Sequence, residues 1–410
     1  MRVLLVADMR SPHSVGWVHG LTMMGIEPLV LSSRRLSRAE RAALPPHVAR
    51  TVIHEPSDAL SRARAATTAH PGALASIRSL AREGRARDTR SPGQSVPEGT
   101  GIIELPLELC IARRLGRTIA ALADAYQPDL VHALRVPFEG IAATEVAAVR
   151  PTVISIWGQD LARQAPAAPR LGHATRAALA NVHGVHADCQ RDVRLAHEWG
   201  APRSALDLVA AGNMGYDEEL FTSRGTRFKD RTLVTCPRGP GSHINYSGFL
   251  RVADRLTRSH PDVTFVAARL SDIPSAEEIH RRAAHPDRII LTRDLSHAEL
   301  ADIYRRSLVV VSPSISDGTP NSVLEGMSCG AVPVVGDIDP LRDLLGQSLP
   351  AGLVDPLDEA EMESRIAALL DAPEDAWRRE SELAQQVAVS GWSREATVAR
   401  VRAWYEELAG

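Results

Sequence analysis

Two carboxylates, Asp317 and Glu325, are separated by seven intervening residues in the segment VSPSISDGTPNSVLEGMSCGAVPVV, residues 311–335. The pattern predicts a strand end, a turn, a short helix that begins near Pro320, and a second strand after Gly330. Both acids can then face one ligand from different heights, and carboxylates accept hydrogen bonds from hydroxyl groups. The segment therefore suits a hydroxyl-rich ligand. The alternative is that Asp317 caps the helix and Glu325 is a solvated helix residue.

The turn before this helix has the features of a phosphate site. Gly318 and Thr319 are small enough to allow close approach of the backbone. The helix N-terminus after Pro320 offers unsatisfied N–H groups and the positive end of the helix dipole. In an open parallel sheet, such loops lie beyond the C-terminal ends of the strands, where ligands bind.

The elements that must position these residues follow from the hydrophobic pattern. Short apolar runs alternate with longer amphipathic ones, which is typical of βαβ units in a parallel sheet. Ten strands are predicted, at Val3–Ala7, Pro28–Ser32, Leu130–Ala133, Thr152–Ile156, Val182–Ala187, Thr232–Cys236, Val263–Ala267, Ile289–Thr292, Val309–Ser312 and Val332–Val335. The strands form two groups, with a break near residues 203–228.

We therefore expect an α/β chain of two Rossmann-like domains, 1–205 and 206–385, whose parallel sheets face each other across a cleft. A C-terminal segment, 386–410, contains an amphipathic helix capped by Ser393 and is expected to pack toward the first domain. Residues 81–101 are rich in Arg, Gly, Pro and Ser, and predict either a solvated insertion or a lid over an acceptor.

Composition narrows the classes of function. A formal charge of −3 argues against a nucleic-acid partner, and no run approaches the roughly 18 apolar residues of a membrane span. The cysteines are scattered without a CxxC pair, which predicts reduced thiols, no metal site and a cytoplasmic protein. A dinucleotide dehydrogenase is disfavoured because no GxGxxG follows the first strand.

Residues 311–335 resemble the signature of glycosyltransferase family 4, whose members are retaining enzymes of the GT-B architecture. That signature is an acid, seven residues, a glutamate, a small-residue helix end and an apolar strand. Here Asp317 replaces the commoner first glutamate, and DGTPNSVLEGMSCG is similar to a subgroup with Asp-Gly-Thr-Pro-Asn-Ser. The resemblance implies that Glu325 binds the donor ribose. It also implies that Asp317 contacts the transferred sugar and stabilises its developing positive charge.

The resemblance continues in TLVTCPRGPGSHINYSGFL, residues 232–250, where the family has an arginine and then a lysine that neutralise the donor diphosphate. Arg238 matches the arginine, but no lysine follows, and His243, Asn245 and Tyr246 lie nearest. The implied catalytic residues are Asp317, Arg238 and Glu325. The implied donor-binding residues are Arg238, His243, Asn245, Gly318, Thr319, Asn321, Ser322, Val323 and Glu325. Backbone groups at Ser322 and Val323 are expected to share the diphosphate charge with Arg238.

Three segments of the first half resemble the family's acceptor side. They are ADMRSPHSVGWVHGL from residue 7, QPDLVHALRVPFEG from residue 127, and PTVISIWGQDLA from residue 151, which carries a Trp-Gly-x-Asp motif. The implied acceptor-binding residues are His13, Trp17, His132, Trp157, Gln159 and Asp160. Two alternatives stay open: His132 as a core-edge histidine, and the first segment as an ordinary βα loop.

The resemblance implies a retaining, metal-independent hexosyl transfer from a UDP- or GDP-linked sugar, without a cofactor. The nucleotide would bind the second domain and a small acceptor, such as a natural-product precursor, the first. The alternatives are a non-catalytic nucleotide-sugar-binding partner and another GT-B sugar-nucleotide enzyme. A phosphorylase is disfavoured because Lys229 is the only lysine and lies near the expected break. The oligomeric state, a homodimer included, is left open.

Overall fold

The computed structural model describes residues 1–26, 28–34, 36–46, 48, 52–53 and 105–410. The expected loop at 81–101 lies outside these residues. The chain divides into two compact units, one formed by Met1–Met214 with Val398–Gly410, and the other by Gly215–Thr397. Each unit contains one parallel sheet.

The first unit has a seven-stranded sheet in the order β3-β2-β1-β4-β5-β6-β7. Its strands are β1 (Val3–Ala7), β2 (Leu29–Ser32), β3 (Val52–Ile53), β4 (Leu130–Leu134), β5 (Thr152–Ile156), β6 (Gly184–Ala187) and β7 (Leu206–Val209). Every residue of β1, β4, β5 and β6 is buried. Burial on both faces explains why these strands are nearly continuous apolar runs, as expected for a parallel sheet covered by helices.

The helices of the first unit connect these strands. They are α1 (Pro12–Met23), α2 (Arg38–Ala43), α3 (Leu105–Tyr126), α4 (Ile141–Ala143), α5 (Pro169–Leu179) and α6 (Gln190–Glu198). Two π-helical turns follow β4 and β5, at Val136–Gly140 and Asp160–Gln164. Such turns are rare and often occur at functional sites.

The second unit has a six-stranded sheet in the order β10-β9-β8-β11-β12-β13. Its strands are β8 (Leu233–Cys236), β9 (Thr264–Ala267), β10 (Ile289–Leu291), β11 (Ser307–Ser312), β12 (Val332–Gly336) and β13 (Leu353–Val354). Its helices are α7 (Tyr246–Ser259), α8 (Pro274–Arg282), α9 (His297–Arg305), α10 (Asn321–Ser328), α11 (Asp339–Leu345), α12 (Glu359–Leu370) and α13 (Glu374–Trp392). The last helix of the chain, α14 (Arg394–Ala409), begins in this unit and ends in the first.

The expected α/β chain with two Rossmann-like sheets is confirmed, and each of the ten predicted strands lies within two residues of its predicted ends. The expected break at 205/206 differs from the division at Met214/Gly215. The reason is β7, an edge strand of mixed burial that has no clear apolar run but pairs with β6 and completes the first sheet.

The C-terminal segment also divides differently from the expected 386–410. Helix α13 stays with the second unit, because Ala384 and Ala388 are fully buried there and Ser381 Oγ donates to the Gly330 carbonyl at 2.7 Å. Only Val398–Gly410 belongs to the first unit. The predicted Ser393 cap is present, since its Oγ accepts from the Ala396 N–H at 3.2 Å.

The end of α14 completes the core of the first unit. Val401, Trp404 and Tyr405 pack among residues of β1 and α1. The Tyr405 hydroxyl lies 2.5 Å from Nδ1 of the fully buried His132, and the other ring nitrogen of His132 lies 2.8 Å from Ser155 Oγ. A buried polar chain therefore ties the last helix to strands β4 and β5.

Among the residues that the structure describes, none of the helices combines the length and apolar character needed to cross a bilayer.

Replacing Tyr405 with Phe is expected to lower the free energy of unfolding by about 1–3 kcal/mol, because the buried Nδ1 of His132 loses its partner. Urea denaturation at pH 7 measures the change. The matched control is Tyr246→Phe, since the Tyr246 hydroxyl bonds Ser275 Oγ at an exposed position, and a change within about 0.5 kcal/mol is expected. Equal losses in the two variants would contradict the structural role of the buried bond.

Candidate active site

The strongest candidate site in the second unit lies where the strand order reverses. Strands β8 and β11 are neighbours, while the chain continues from β8 to β9 on one side and from β11 to β12 on the other. Ligands of open α/β sheets bind beyond the C-terminal strand ends at such a switch point. Arg238 follows β8 and Asp317 follows β11, and Arg238 Nη2 lies 2.6 Å from Asp317 Oδ2. The structure therefore joins two of the sequence-predicted catalytic residues.

Backbone contacts hold the two loops side by side. The Asn245 N–H donates to the Pro313 carbonyl at 2.9 Å, and the Ile315 N–H donates to the His243 carbonyl at 2.8 Å. Asp317 is fixed further, because its Oδ1 accepts from the Gly318 N–H at 3.0 Å and its Oδ2 accepts from Ser314 Oγ at 3.3 Å. The carboxylate is thus oriented by its own loop as well as by Arg238.

The N-terminus of α10 opens beside this pair. The helix begins at Asn321, as predicted, and no side chain caps its first turn. Asn321 Oδ1 and Ser322 Oγ are buried and have no hydrogen-bond partner among the described residues. The Val323 N–H instead donates to the Pro320 carbonyl at 3.0 Å, so the expected contribution of Val323 to a phosphate site is already used within the turn. The polar atoms left for a ligand belong to Asn321 and Ser322.

Glu325 lies inside α10 and is 8% exposed, so the alternative of a solvated helix residue does not hold. Burial raises the pKa of its carboxyl group to about 8, while the charge of Arg394 acts in the opposite direction. The helix is also bonded to the segment through which the chain enters the second unit, because Ser328 Oγ donates to the Phe221 carbonyl at 2.9 Å. Glu325 is therefore held on a fixed helix in a poorly solvated position.

The remaining predicted donor residues have different surroundings. Gly318 and Thr319 are buried in the loop, and His243 is half-buried. Asn245 caps α7 by accepting from the Gly248 N–H at 3.0 Å, and its Nδ2 donates to the Pro356 carbonyl at 2.8 Å. Its side-chain amide is therefore engaged within the protein at both ends, in place of the expected donor contact. The hydroxyl of Tyr246 bonds Ser275, as described above.

Two residues near this site were missed by the sequence analysis. Arg269 follows β9 with a positive φ of 61°, and its Cβ lies 3.1 Å from the position that a Cβ on Gly239 would take. It brings a second guanidinium-bearing side chain next to the Arg238 loop. Tyr304 on α9 is fully buried, and its hydroxyl has no hydrogen-bond partner within the described ranges. Burial raises the Tyr304 pKa, and the charge of Glu325 adds to that effect.

The first sheet has its own switch point between β1 and β4. Arg135 directly follows β4, and its guanidinium contacts Asp160 Oδ1 through Nη2 at 2.9 Å and through Nε at 3.2 Å. Asp160 is fully buried, and its Oδ2 accepts from the Trp157 N–H at 3.2 Å. The predicted acceptor contact of Asp160 is therefore replaced by a structural role, in which Asp160 holds Arg135 and the Trp157 loop together.

The other predicted acceptor residues divide into a core group and a surface group. Trp17 and His132 are fully buried and contact each other, with ring centroids 4.5 Å apart, so neither reaches a bound acceptor in this structure. The alternative of a satisfied core histidine describes His132. By contrast, His13 and Trp157 are half-buried with ring centroids 4.8 Å apart, and Gln159 is also half-buried. His13, Trp157 and Gln159 remain the acceptor-side candidates.

Glu139 is a further residue that the sequence analysis did not single out. It lies in the π-helical turn after β4 and is 4% exposed, and its carboxylate accepts from Ser33 Oγ at 2.5 Å. Burial raises the pKa of Glu139 to about 7, against the effect of that hydrogen bond and of the Arg135 charge. Its place in a Pro-containing turn directly after a strand is the signal that could have identified it.

The described residues contain one group of side chains that could hold a metal ion, formed by Asp188, Cys189 and Asp192, whose ligand atoms lie within 4.8 Å of one another. All three are buried. Arg191 lies 2.8 Å from Asp192, and the group stands at the N-terminus of α6, where the helix dipole is positive. Because Arg191 and the helix N-terminus already supply positive charge next to these side chains, we assign no metal ion to this group.

Replacing Glu325 with Gln is expected to flatten the pH dependence of stability between about pH 4.5 and 8. The pKa of the folded state, about 8, lies above the ordinary 4.5, so the stabilising contribution of this group is full below pH 4.5 and is lost as the pH rises. Urea denaturation at pH 5 and pH 8.5 should give a difference that is smaller by roughly 2–4 kcal/mol in the variant. The exposed Glu382→Gln serves as the control and should leave the slope unchanged.

Comparison with known proteins gives a family match over part of the second unit. Residues 234–372, about a third of the chain, match the family model described as Glycosyl transferases group 1. The match spans β8, the Arg238 loop and helix α10. A search of curated proteins gave no significant match.

Solved structures of similar fold extend over the whole chain. Sucrose-phosphate synthase from Thermosynechococcus elongatus has a TM-score of 0.70 at 14% identity, with 100% of this chain and 99% of that chain covered. HepE from Anabaena in complex with UDP and glucose has a TM-score of 0.66 at 13% identity, with 99% and 100% covered. The α,α-trehalose 6-phosphate synthase from Burkholderia multivorans has a TM-score of 0.65 at 14% identity, with 100% and 97% covered. The chain thus has the GT-B fold, and the family match over the second unit supports its assignment as a glycosyltransferase.

Proposed function

We propose that this protein is a retaining glycosyltransferase that moves a hexosyl group from a nucleotide-diphosphate sugar to a small acceptor. UDP is the first donor nucleotide to consider, because the Anabaena neighbour was solved with UDP and with UDP-glucose. GDP is the second. The acceptor is proposed to be a soluble molecule such as a natural-product precursor, and the buried free thiols of Cys189, Cys236 and Cys329 support a cytoplasmic location.

One observation carries this proposal. At the switch point of the second sheet, the Arg238–Asp317 ion pair stands beside the uncapped N-terminus of α10, where Asn321 Oδ1 and Ser322 Oγ have no partner among the described residues. The cation and the helix N-terminus suit the diphosphate of a sugar nucleotide, and the carboxylate suits the hydroxyl groups and the developing charge of the transferred sugar.

In the proposed donor complex, Arg238 turns part of its guanidinium from Asp317 to the diphosphate. A guanidinium can serve both groups, because it carries five N–H donors in a planar fork. Stabilising the departing diphosphate is then the task of Arg238 and the first turn of α10, without a metal ion. His243 and Arg269 are the nearest further candidates for the family lysine that this sequence lacks.

The two acids have separate tasks in this proposal. Glu325 binds the donor ribose, whose hydroxyl groups supply the hydrogen bonds that its buried carboxyl group otherwise lacks. Asp317 faces the transferred sugar, where its negative charge stabilises the positive charge that develops as the glycosidic bond breaks. Attack by the acceptor on the face from which the diphosphate departs retains the anomeric configuration, as the family resemblance implies.

A thermal-shift screen tests the donor site. UDP, GDP, dTDP, ADP and their sugars are added to the wild-type protein and to Arg238→Ala and Glu325→Ala. A nucleotide that binds only the folded protein raises Tm. At a nucleotide concentration one hundred times Kd, binding stabilises the folded state by about 2.7 kcal/mol. We expect a shift with one nucleotide, with UDP tried first, and its loss in both variants.

The controls are Arg258→Ala and Glu382→Ala. Arg258 also pairs with an aspartate, Asp254, but at 3.3 Å on an exposed face of α7. Both controls should keep the full shift. Absence of a shift with every nucleotide would contradict the donor site, whereas a shift without any product in a transfer assay would favour a non-catalytic nucleotide-sugar-binding partner. Product with inverted configuration would contradict retention alone.

A further inference from the structure

Arg135 is held in an unfavourable backbone conformation at the switch point of the first sheet. Its φ is 94°, in a region that costs a non-glycine residue about 1–3 kcal/mol and that is concentrated at functional sites. The residue follows β4 directly and precedes a π-helical turn. The sequence contains 28 glycines but has an arginine at this position, which points to a role for the guanidinium group.

The guanidinium is fixed along one edge and open along the other. Nε and Nη2 contact Asp160, and Nη2 also donates to Gln164 Oε1 at 2.8 Å. Nη1 donates to none of the residues that the structure describes, and a third of the side chain is exposed. The plane lies 5.3 Å from the Trp157 ring. One N–H edge of a rigidly held cation therefore points away from its protein partners.

A second donor accompanies it. Trp157 Nε1 is buried and has no hydrogen-bond partner in the described parts of the chain. A buried indole N–H normally finds an acceptor, and leaving it without one costs about 1–3 kcal/mol. The indole contacts both the Arg135 guanidinium and the ring of His13. Its position is thus determined by its neighbours, while its N–H has no acceptor.

A third donor follows another strand at the same edge of the sheet. Arg34 follows β2, is exposed, and stands over the Phe138 ring at 5.5 Å. No carboxylate pairs with it within the described residues, whereas Arg10, which follows β1, is paired with Asp8 at 2.6 Å. Ser33, which precedes Arg34, donates through its Oγ to Glu139, in the turn that directly follows Arg135, so Arg34 and Arg135 flank the same turn.

Three hydrogen-bond donors stand here for which none of the described residues is an acceptor: Arg135 Nη1, Trp157 Nε1 and the Arg34 guanidinium. A neutral hydroxyl would bring a donor as well as an acceptor, and the site offers it little to donate to. An oxyanion has only acceptor atoms and carries the charge that two guanidinium groups favour. Asp8 is paired with Arg10 and Asp160 with Arg135, which offsets the charges of these two acids. Burial raises the pKa of the third nearby acid, Glu139, to about 7, which reduces its repulsion of an anion.

We propose that the Arg135–Trp157–Arg34 cluster binds an anionic group, a phosphate or a carboxylate, on the acceptor. The inference deepens the proposed function, on which it rests, by stating the chemical class of the acceptor. Arg135 and Trp157 then select and orient the acceptor rather than take part in bond breaking. Asp160 acts as a positioning residue, because it sets the direction of the Arg135 guanidinium.

Isothermal titration of the full-length protein with inorganic phosphate, glucose 6-phosphate, glucuronate and glucose tests this inference. We expect the anionic probes to bind and glucose to bind at least tenfold more weakly. Arg135→Ala should weaken the anionic probes about tenfold or more. Arg135→Lys should recover part of the loss, since it keeps the charge but not the planar fork. Trp157→Phe keeps the ring, removes only the N–H, and should weaken binding severalfold.

Arg170→Ala is the matched control, because Arg170 is an exposed arginine on α5, and it should change no affinity. UDP is titrated into every variant in parallel. Equal affinity of the probes for wild type and Arg135→Ala, or no binding of any anion by a protein that binds UDP, would overturn the inference. Arg135-dependent anion binding without UDP binding would sustain the anion site and count against the proposed function. If inorganic phosphate binds more tightly than glucuronate, the anionic group of the acceptor is assigned as a phosphate. If glucuronate binds more tightly, it is assigned as a carboxylate.

Discussion

The order of strands in two parallel sheets is the constraint on which both candidate sites depend. At each reversal of strand order, neighbouring strands send their chains in opposite directions and leave space beyond their C-terminal ends. Each reversal bears an arginine that follows one of its two strands, Arg238 after β8 and Arg135 after β4, and each arginine is held by an aspartate from an adjacent strand. The fold thus provides two similar edges, and the side chains give them different tasks.

Arginine suits both edges for a geometric reason. A guanidinium held by a carboxylate along one side still presents N–H groups along another, whereas an ammonium group has no fixed second side. This matters in a chain in which Lys229 is the only lysine among 47 basic residues. Aspartate pairing orients each arginine before a ligand arrives, so less side-chain entropy is lost on binding. The same pairing limits the net positive charge that each edge presents.

The sequence predicted the sheets, and the proximity of Arg238 and Asp317 in the second unit, more closely than the contacts of the first unit. Asp317 and Glu325 could be found because both lie in one short segment, and Arg238 because its segment resembles that of the family. Trp17 and His132 were assigned to the acceptor side because the sequence does not show which side chains of a strand or helix are buried and which are exposed to solvent. Asn245 resembled a ligand residue because helix caps and ligand sites use the same side chains. Arg135 was missed because its importance lies in a φ of 94°, which no sequence pattern records.

The packing of α14 has a consequence for how the protein is made. The core of the first unit includes Val401, Trp404 and Tyr405, from the last ten residues of the chain. On the ribosome, the N-terminal sheet emerges long before these residues, whereas the second unit, Gly215–Thr397, is complete in one continuous stretch. The unit whose synthesis begins first is therefore the one that must wait until α14 has been synthesised. Until then, the apolar surface of the first unit against which Trp404 and Tyr405 pack stays exposed, and a chaperone can bind it.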